Sequence, residues 1–285
     1  MKKTILIISA FLWFRPMAHS QQNEKPVWQL GTINHSSSEF ALAPNGFKRF
    51  VEGDFGYEDK YFLIGHSSEK KDFPYVIPGP VDTWGGTWNT AGWRINHATI
   101  LFGVKSLPEK GDYSLVISLL DYAKEFLPVI EVNINGHNER IQLEAPGYDL
   151  SKQPSPKQDE PYVDSASIGG DLSKATPKTI TIPISRDRLH TGGNTIIITV
   201  VQGSWIMFDQ VRLDGPGQTT LETPRALYVR QVRAADYELE KGGKKFQPLL
   251  VNAEHLKGVP ELSVEVDGQA IFSEKLEKGN YEFEA

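Results

Sequence analysis

The stretch Thr179-Ile-Thr-Ile-Pro-Ile-Ser-Arg-Asp-Arg-Leu-His-Thr-Gly-Gly-Asn-Thr-Ile-Ile-Ile-Thr-Val-Val201 decides the fold class. Ile180, Ile182 and Ile184 fall on one face at a period of two, the spacing of a β-strand with one buried side. Pro183 has no N–H to give a neighbouring strand, which assigns this run to a sheet edge. Gly192, Gly193 and Asn194 read as a turn into Thr195–Val201, a β-branched run that forms the next strand. The same pattern recurs outward from here. Tyr113–Leu120 reads as a buried strand, and Trp205–Leu213 as a later one. Val129–Ile134 passes through Asn135-Gly136 into Arg140–Leu143; an Asn-Gly pair favours the left-handed backbone of a hairpin, here with a slightly longer loop. No long amphipathic helix interrupts the series. The expectation is an antiparallel all-β sandwich.

Composition bounds the rest. Met1-Lys2-Lys3, an apolar block from Ile5 to Phe14 and Ala18-His19-Ser20 form a secretory signal peptide over residues 1–20, too short in its apolar part to span a bilayer. No cysteine follows to carry a lipid, and none is available for disulfides or thiolate metal sites. The expected location is periplasmic or secreted. Without residues 1–20 the chain keeps 27 basic against 36 acidic residues, a net charge of −9. That balance disfavours nucleic acid and anionic membrane as partners, and makes a polyanionic glycan a poor nonspecific ligand.

Gly147–Asp171 is polar and proline-rich and reads as a long surface excursion. Asp214–Thr220 reads as a linker, so the first domain is placed at residues 26–215, the linker at 216–225 and a second β module at 226–285. In that module Leu262–Val266 and Gln269–Phe272 flank an Asp267-Gly268 hairpin turn. Some sixty residues are few for an immunoglobulin-like sandwich of about 100. The module is therefore expected to be partial and the chain to belong to a longer polypeptide.

Val81–Trp93 places Trp84, Trp88 and Trp93 close together among glycine, threonine and asparagine. Neither a strand nor a helix accounts for this run, which reads as an irregular loop presenting aromatic rings beside small polar groups. Sugars bind such surfaces, because their C–H faces stack on indole while their hydroxyls pair with amides and carboxylates. Trp93 opens a strand-like run to Phe102 and is assigned to the core, as are Trp28 and Trp205. Trp84 and Trp88, with Tyr75, Asp82, Asn89 and Arg94, form the candidate carbohydrate-binding set. Loop packing or an interdomain contact are the competing readings of the two indoles.

Signals for catalysis are weak. The seven histidines are scattered with no metal-binding spacing, and no nucleophile elbow or phosphate loop is present. Asn34–Glu39 collects hydroxyls, His35 and Glu39, a set that more often forms a polar turn. Glu52, Asp54, Glu58 and Asp59 read as a solvated turn, with a structural calcium as the functional exception. No catalytic residue, catalytic metal or cofactor is assigned.

Several segments resemble a known family. Val27–Phe40, with its Trp28 opening and Glu39-Phe40 close, is similar to the start of domain III in the rhamnogalacturonan lyases of polysaccharide lyase family 4. Tyr61–Gly65 and Asp72–Tyr75, Leu115–Asn135, Leu189–Thr199 and Ser204–Asp214 resemble that domain's later segments, in order, over Pro26–Gly215. The resemblance implies a galactose-binding-like jelly-roll sandwich acting as a carbohydrate-binding-type module. It also implies that the catalytic lysine and histidine belong to a preceding domain, so no catalytic role carries over to this chain. The order of signal peptide, sandwich and second β module also resembles the start of Bacteroidetes proteins that continue into a family 38 α-mannosidase-like region. The implied partners are a glycan and an adjoining catalytic domain. An enzyme working through loop carboxylates or His35, and a structural spacer, are the alternatives.

Overall fold

The computed structural model describes residues 25–57, 59–87, 94–144, 166–277 and 279–284. Among them the first strands are β1 (Lys25–Gly31), β2 (Tyr61–Leu63), β3 (Val76–Ile77), β4 (His97–Ser106), β5 (Tyr113–Tyr122) and β6 (Val129–Ile134). There follow β7 (His137–Gln142), β8 (Lys178–Ile184), β9 (Gly192–Gln202), β10 (Ile206–Gly215), β11 (Thr220–Glu222) and β12 (Leu227–Ala234). The last are β13 (Leu239–Lys241), β14 (Lys244–Phe246), β15 (Leu249–His255), β16 (Glu261–Val266), β17 (Gln269–Lys275) and β18 (Asn280–Glu284).

Two sheets make the sandwich. One has the order β1-β10-β5-β8 with β3 also on β10; the other has the order β11-β4-β9-β6-β7 with β2 beside β4. They close on one apolar core, where Trp28 of the first sheet meets Phe102 of the second with ring centroids 5.5 Å apart. β8 lies at its sheet's edge, where Pro183 costs no ladder bond. In β9, Ile196, Ile198 and Val200 face the core, while Thr195, Ile197 and Thr199 face outward.

Three local expectations need correction. Asn135 (φ 49°) and Gly136 (φ 90°) form the whole hairpin turn by themselves, so β7 starts at His137 and the loop is shorter than expected. Gly192 and Gly193 lie inside β9 instead of in a turn before it; Gly193 pairs with Gly103 of β4. Thr220–Glu222, within the expected linker, is β11 and pairs with Ser106–Gly103 of β4.

The long irregular segment after β1 is fixed by aromatic rings. Phe73 is its hub, with Phe208 at 5.2 Å, Phe40 at 5.5 Å and Phe62 at 6.1 Å between centroids. Buried aspartates fix other loops. Asp209 accepts hydrogen bonds from the Asn34 and His35 amides, and Glu39 from the Thr32 amide, so Asn34–Glu39 is a structural turn. Asp121 accepts from Ser167 Oγ (2.6 Å), Thr176 N (3.0 Å) and Lys124 Nζ (2.8 Å). The end of the expected surface excursion thus returns to the interior, with Ile168 fully buried; residues 145–165 lie outside the described residues.

Beyond the sandwich, β12, β15 and β18 form a three-stranded sheet, and β13–β14 and β16–β17 form two hairpins. Asp267 (φ 51°) and Gly268 (φ 77°) turn the second hairpin. Val251, Leu262 and Leu276 form the small buried core between this hairpin and the three-stranded sheet.

Candidate functional site

The sequence-predicted set divides on burial. Tyr75 and Asp82 are fully buried, and Trp84 is 9% exposed. Trp84 sits in a 3-10 turn at Thr83–Gly85, edge-on to Phe47 (5.3 Å) and Phe50 (6.0 Å). Its neighbours in sequence are too small to cover it, but two phenylalanines more than thirty residues upstream do so. The adjacent glycines permit close approach: a Cβ on Gly85 would come within 2.7 Å of Asn96 Nδ2, which donates to the Gly85 carbonyl at 2.8 Å. Asp82 accepts from Gly79 N and Ser204 Oγ, both at 2.7 Å, and ties this turn to the β9–β10 connection. Tyr75 donates its hydroxyl proton to the Ile168 carbonyl at 2.6 Å, and burial pushes its pKa well up. These three residues hold the fold together and offer no face to a sugar. Arg94 stays half-buried, 3.9 Å above the ring of Tyr57 and donating to the Gly56 carbonyl. Trp88, Asn89 and Trp93 lie outside the described residues.

The large concavity lies elsewhere. A cleft of about 1020 Å³ runs between the outward face of the second sandwich sheet and the C-terminal module. Its floor is His97 and Thr99 of β4, Thr195 and Ile197 of β9 and Asn133 of β6. The pairing register makes this a continuous patch, since Thr99 lies opposite Ile197 and Ile197 opposite Asn133. The facing wall is Val229–Val232 of β12 with Asn252 of β15. Hydroxyls and carboxamides alternate here with one half-buried isoleucine. Such a surface can exchange hydrogen bonds with many hydroxyls and give an apolar platform to a ring face.

Sequence makes the two walls meet. Gly103 and Gly193 are opposite each other and carry no side chain; a Cβ would lie 3.0 Å from the Glu222 carbonyl oxygen on the first and 2.4 Å from the Val229 carbonyl oxygen on the second. The bare patch lets β11 and β12 approach. Tyr228 then reaches into the sandwich, packing on Leu63 and Leu101. Its hydroxyl accepts from Asn194 N (3.1 Å) and can donate to the Phe102 (3.0 Å) or Asn194 (3.1 Å) carbonyl. Burial pushes the phenol's pKa up to about 12, so it stays a donor. Asn194 is itself buried and held by Asn135 Nδ2, His190 N and the His190 carbonyl.

Beside Tyr61 and Tyr228 at the seam lies a buried carboxylate. Glu254 is 1% exposed and 3.6 Å from Arg230. Burial raises its pKa above 4.5, opposed by the nearby Arg230 charge, and its own charge helps burial to raise Tyr61 to about 12. A raised folded-state pKa contributes stability that is complete below the unfolded value and lost as pH rises through the folded value. Glu254→Gln, fixed in the neutral state, is therefore expected to melt close to wild type near pH 4. Melting scans at higher pH should show the variant gaining on wild type; a gap that stays constant from pH 4 to 8 contradicts the burial effect.

Among the described residues no three histidine or carboxylate side chains converge in a way that could hold a metal ion. No curated protein matches the chain. A family model for the CBM-like domain III of polysaccharide lyase family 4 matches residues 26–213, the whole sandwich short of β11. The chain belongs to that family of CBM-like domains.

Proposed function

We propose that the protein is a non-catalytic carbohydrate-binding module that holds polysaccharide for an adjoining catalytic domain, a polysaccharide lyase or a glycoside hydrolase of α-mannosidase-like type. The observation that carries the reading is the polar cleft on the family's own sandwich, floored by Thr195, Ile197 and Asn133. The basic-then-apolar opening Met1–Ser20 supports export to the periplasm or medium, where polysaccharide is met. Thr195 and Ile197 point outward, so truncating them should leave the core intact. With about 1 kcal/mol for each lost contact, Thr195→Ala/Ile197→Ala weakens glycan affinity about 30-fold. Affinity electrophoresis in gels cast with a panel of plant and mannose-rich polysaccharides measures this. No retardation of wild type in any gel contradicts the proposal, and so does equal retardation of wild type and variant.

One observation favours a second contact surface. Tyr57 is 39% exposed beneath the Arg94 guanidinium, and Ile95 beside it is 54% exposed. An aromatic ring and an apolar side chain exposed beside a cation suit a sugar ring as well. Loss of retardation in Tyr57→Ala, with the cleft variant unaffected, supports that surface over the cleft.

A further inference from the structure

We infer that the cleft is a two-walled site for an uncharged, hydroxyl-rich glycan chain, with Gln231 and Asn252 of the C-terminal module forming the second wall. The inference rests on the glycan-binding reading above, and it gives the C-terminal module a binding role in place of a spacer's.

Geometry supports the second wall. Gln231 and Asn252 are directly opposite in the β12–β15 pair, so their carboxamides share one face. A bulge between Val229 and Gln231 re-aims β12 at this point. Both residues line the cleft across from Thr99, Asn133 and Ile197. Asn252 Oδ1 is buried and takes no hydrogen bond from the protein, an acceptor left over at the base of this wall. The Gly103–Gly193 patch and the Tyr228 hydroxyl set the spacing between the walls, so they meet a ligand together.

Charge defines the ligand class. The fixed charges lining the cleft are Arg230 and Glu222. Arg230 already faces Glu254 at 3.6 Å. On the outward face of β6 and β7, beside the cleft floor, Arg140 is paired with Glu131 at 2.6 Å. A uronate or sulfate would have to break one of these pairs and lie near Glu222. A neutral sugar needs only donors, acceptors and an apolar patch, which the amides, threonines and Ile197 supply.

Isothermal titration of the full chain against soluble mannan, galactan, arabinan and polygalacturonate tests both parts of the inference, with thermal melts confirming that each variant is folded. The expected result is binding of at least one neutral polymer, at least tenfold tighter than polygalacturonate. Gln231→Ala/Asn252→Ala and Thr195→Ala/Ile197→Ala should each weaken it about tenfold or more. If only the sandwich pair weakens binding, the second wall is overturned while the glycan-binding function stands. Polygalacturonate binding as tightly as any neutral polymer overturns the ligand class alone. No binding by any of the polymers overturns both the function and this inference.

Discussion

Phe73→Ala is expected to lower the unfolding free energy by about 3–5 kcal/mol, the usual cost of deleting a fully buried ring. Phe73 is 1% exposed and touches rings from three parts of the chain: Phe40 before it, Phe62 on β2 and Phe208 on β10. The segment between β1 and β4 has few strands of its own to anchor it. Its backbone does pair locally, through Ala41 N to the Phe73 carbonyl at 2.9 Å and Phe208 N to the Tyr75 carbonyl at 2.9 Å. Those bonds depend on the rings staying packed. Removing the hub should therefore both open a cavity and loosen the connection from the irregular segment to β10. Urea denaturation followed by tryptophan fluorescence measures the loss, since Trp84 and Trp205 are buried reporters. A loss below about 1 kcal/mol would mean that this segment does not depend on its aromatic hub.

Gly193→Val should have the largest effect on the relation between the two modules. Its first side-chain carbon would lie 2.4 Å from the Val229 carbonyl oxygen, a backbone atom that can yield only if β12 moves. Overpacking of this kind costs about 1–3 kcal/mol. That is comparable to what the Tyr228 hydrogen bonds and its packing on Leu63 and Leu101 can supply at the seam. The expected outcome is a sandwich that melts nearly as wild type, a C-terminal module released from its seat, and a loss of glycan affinity at least as large as that of the wall variants. Limited proteolysis reads the release as new cleavage between Gly215 and Leu227. Unchanged protease resistance together with unchanged affinity would show that β12 does not depend on the bare glycine patch.

How much of this was legible beforehand follows from the range of each interaction. The alternation in Thr179–Ile184 and the Asn135-Gly136 pair are local signals, and they led to the edge strand and the hairpin. The all-β sandwich and its family follow from such runs in order. In the tryptophan stretch, Trp84 is buried by partners that the stretch itself does not contain. Its glycines and threonines could not cover Trp84, but Phe47 and Phe50 could, and nothing in residues 81–93 announces them. Tyr75 and Asp82 were drawn into the same candidate set by proximity in sequence, whereas their partners are Ile168 and Ser204.

The cleft was missed because it is assembled from β4, β6, β9 and β12, strands spread over more than 130 residues. Two signals were available. Thr195, Ile197 and Thr199 alternate with apolar residues in a run that composition alone presents as uniform. Gly193 inside a strand marks a close backbone approach, although the Gly-Gly-Asn sequence by itself equally suits a turn.

Side-chain footprinting by hydroxyl radicals, with and without a saturating neutral polysaccharide, tests the placement of the glycan most directly. Bound polymer should shield His97 and Ile197 on the floor and Val232 on the wall from oxidation, while Tyr57 and Trp88 react as before. Shielding of Tyr57 and Trp88 with the cleft residues unprotected would place the sugar on the loop and contradict the account.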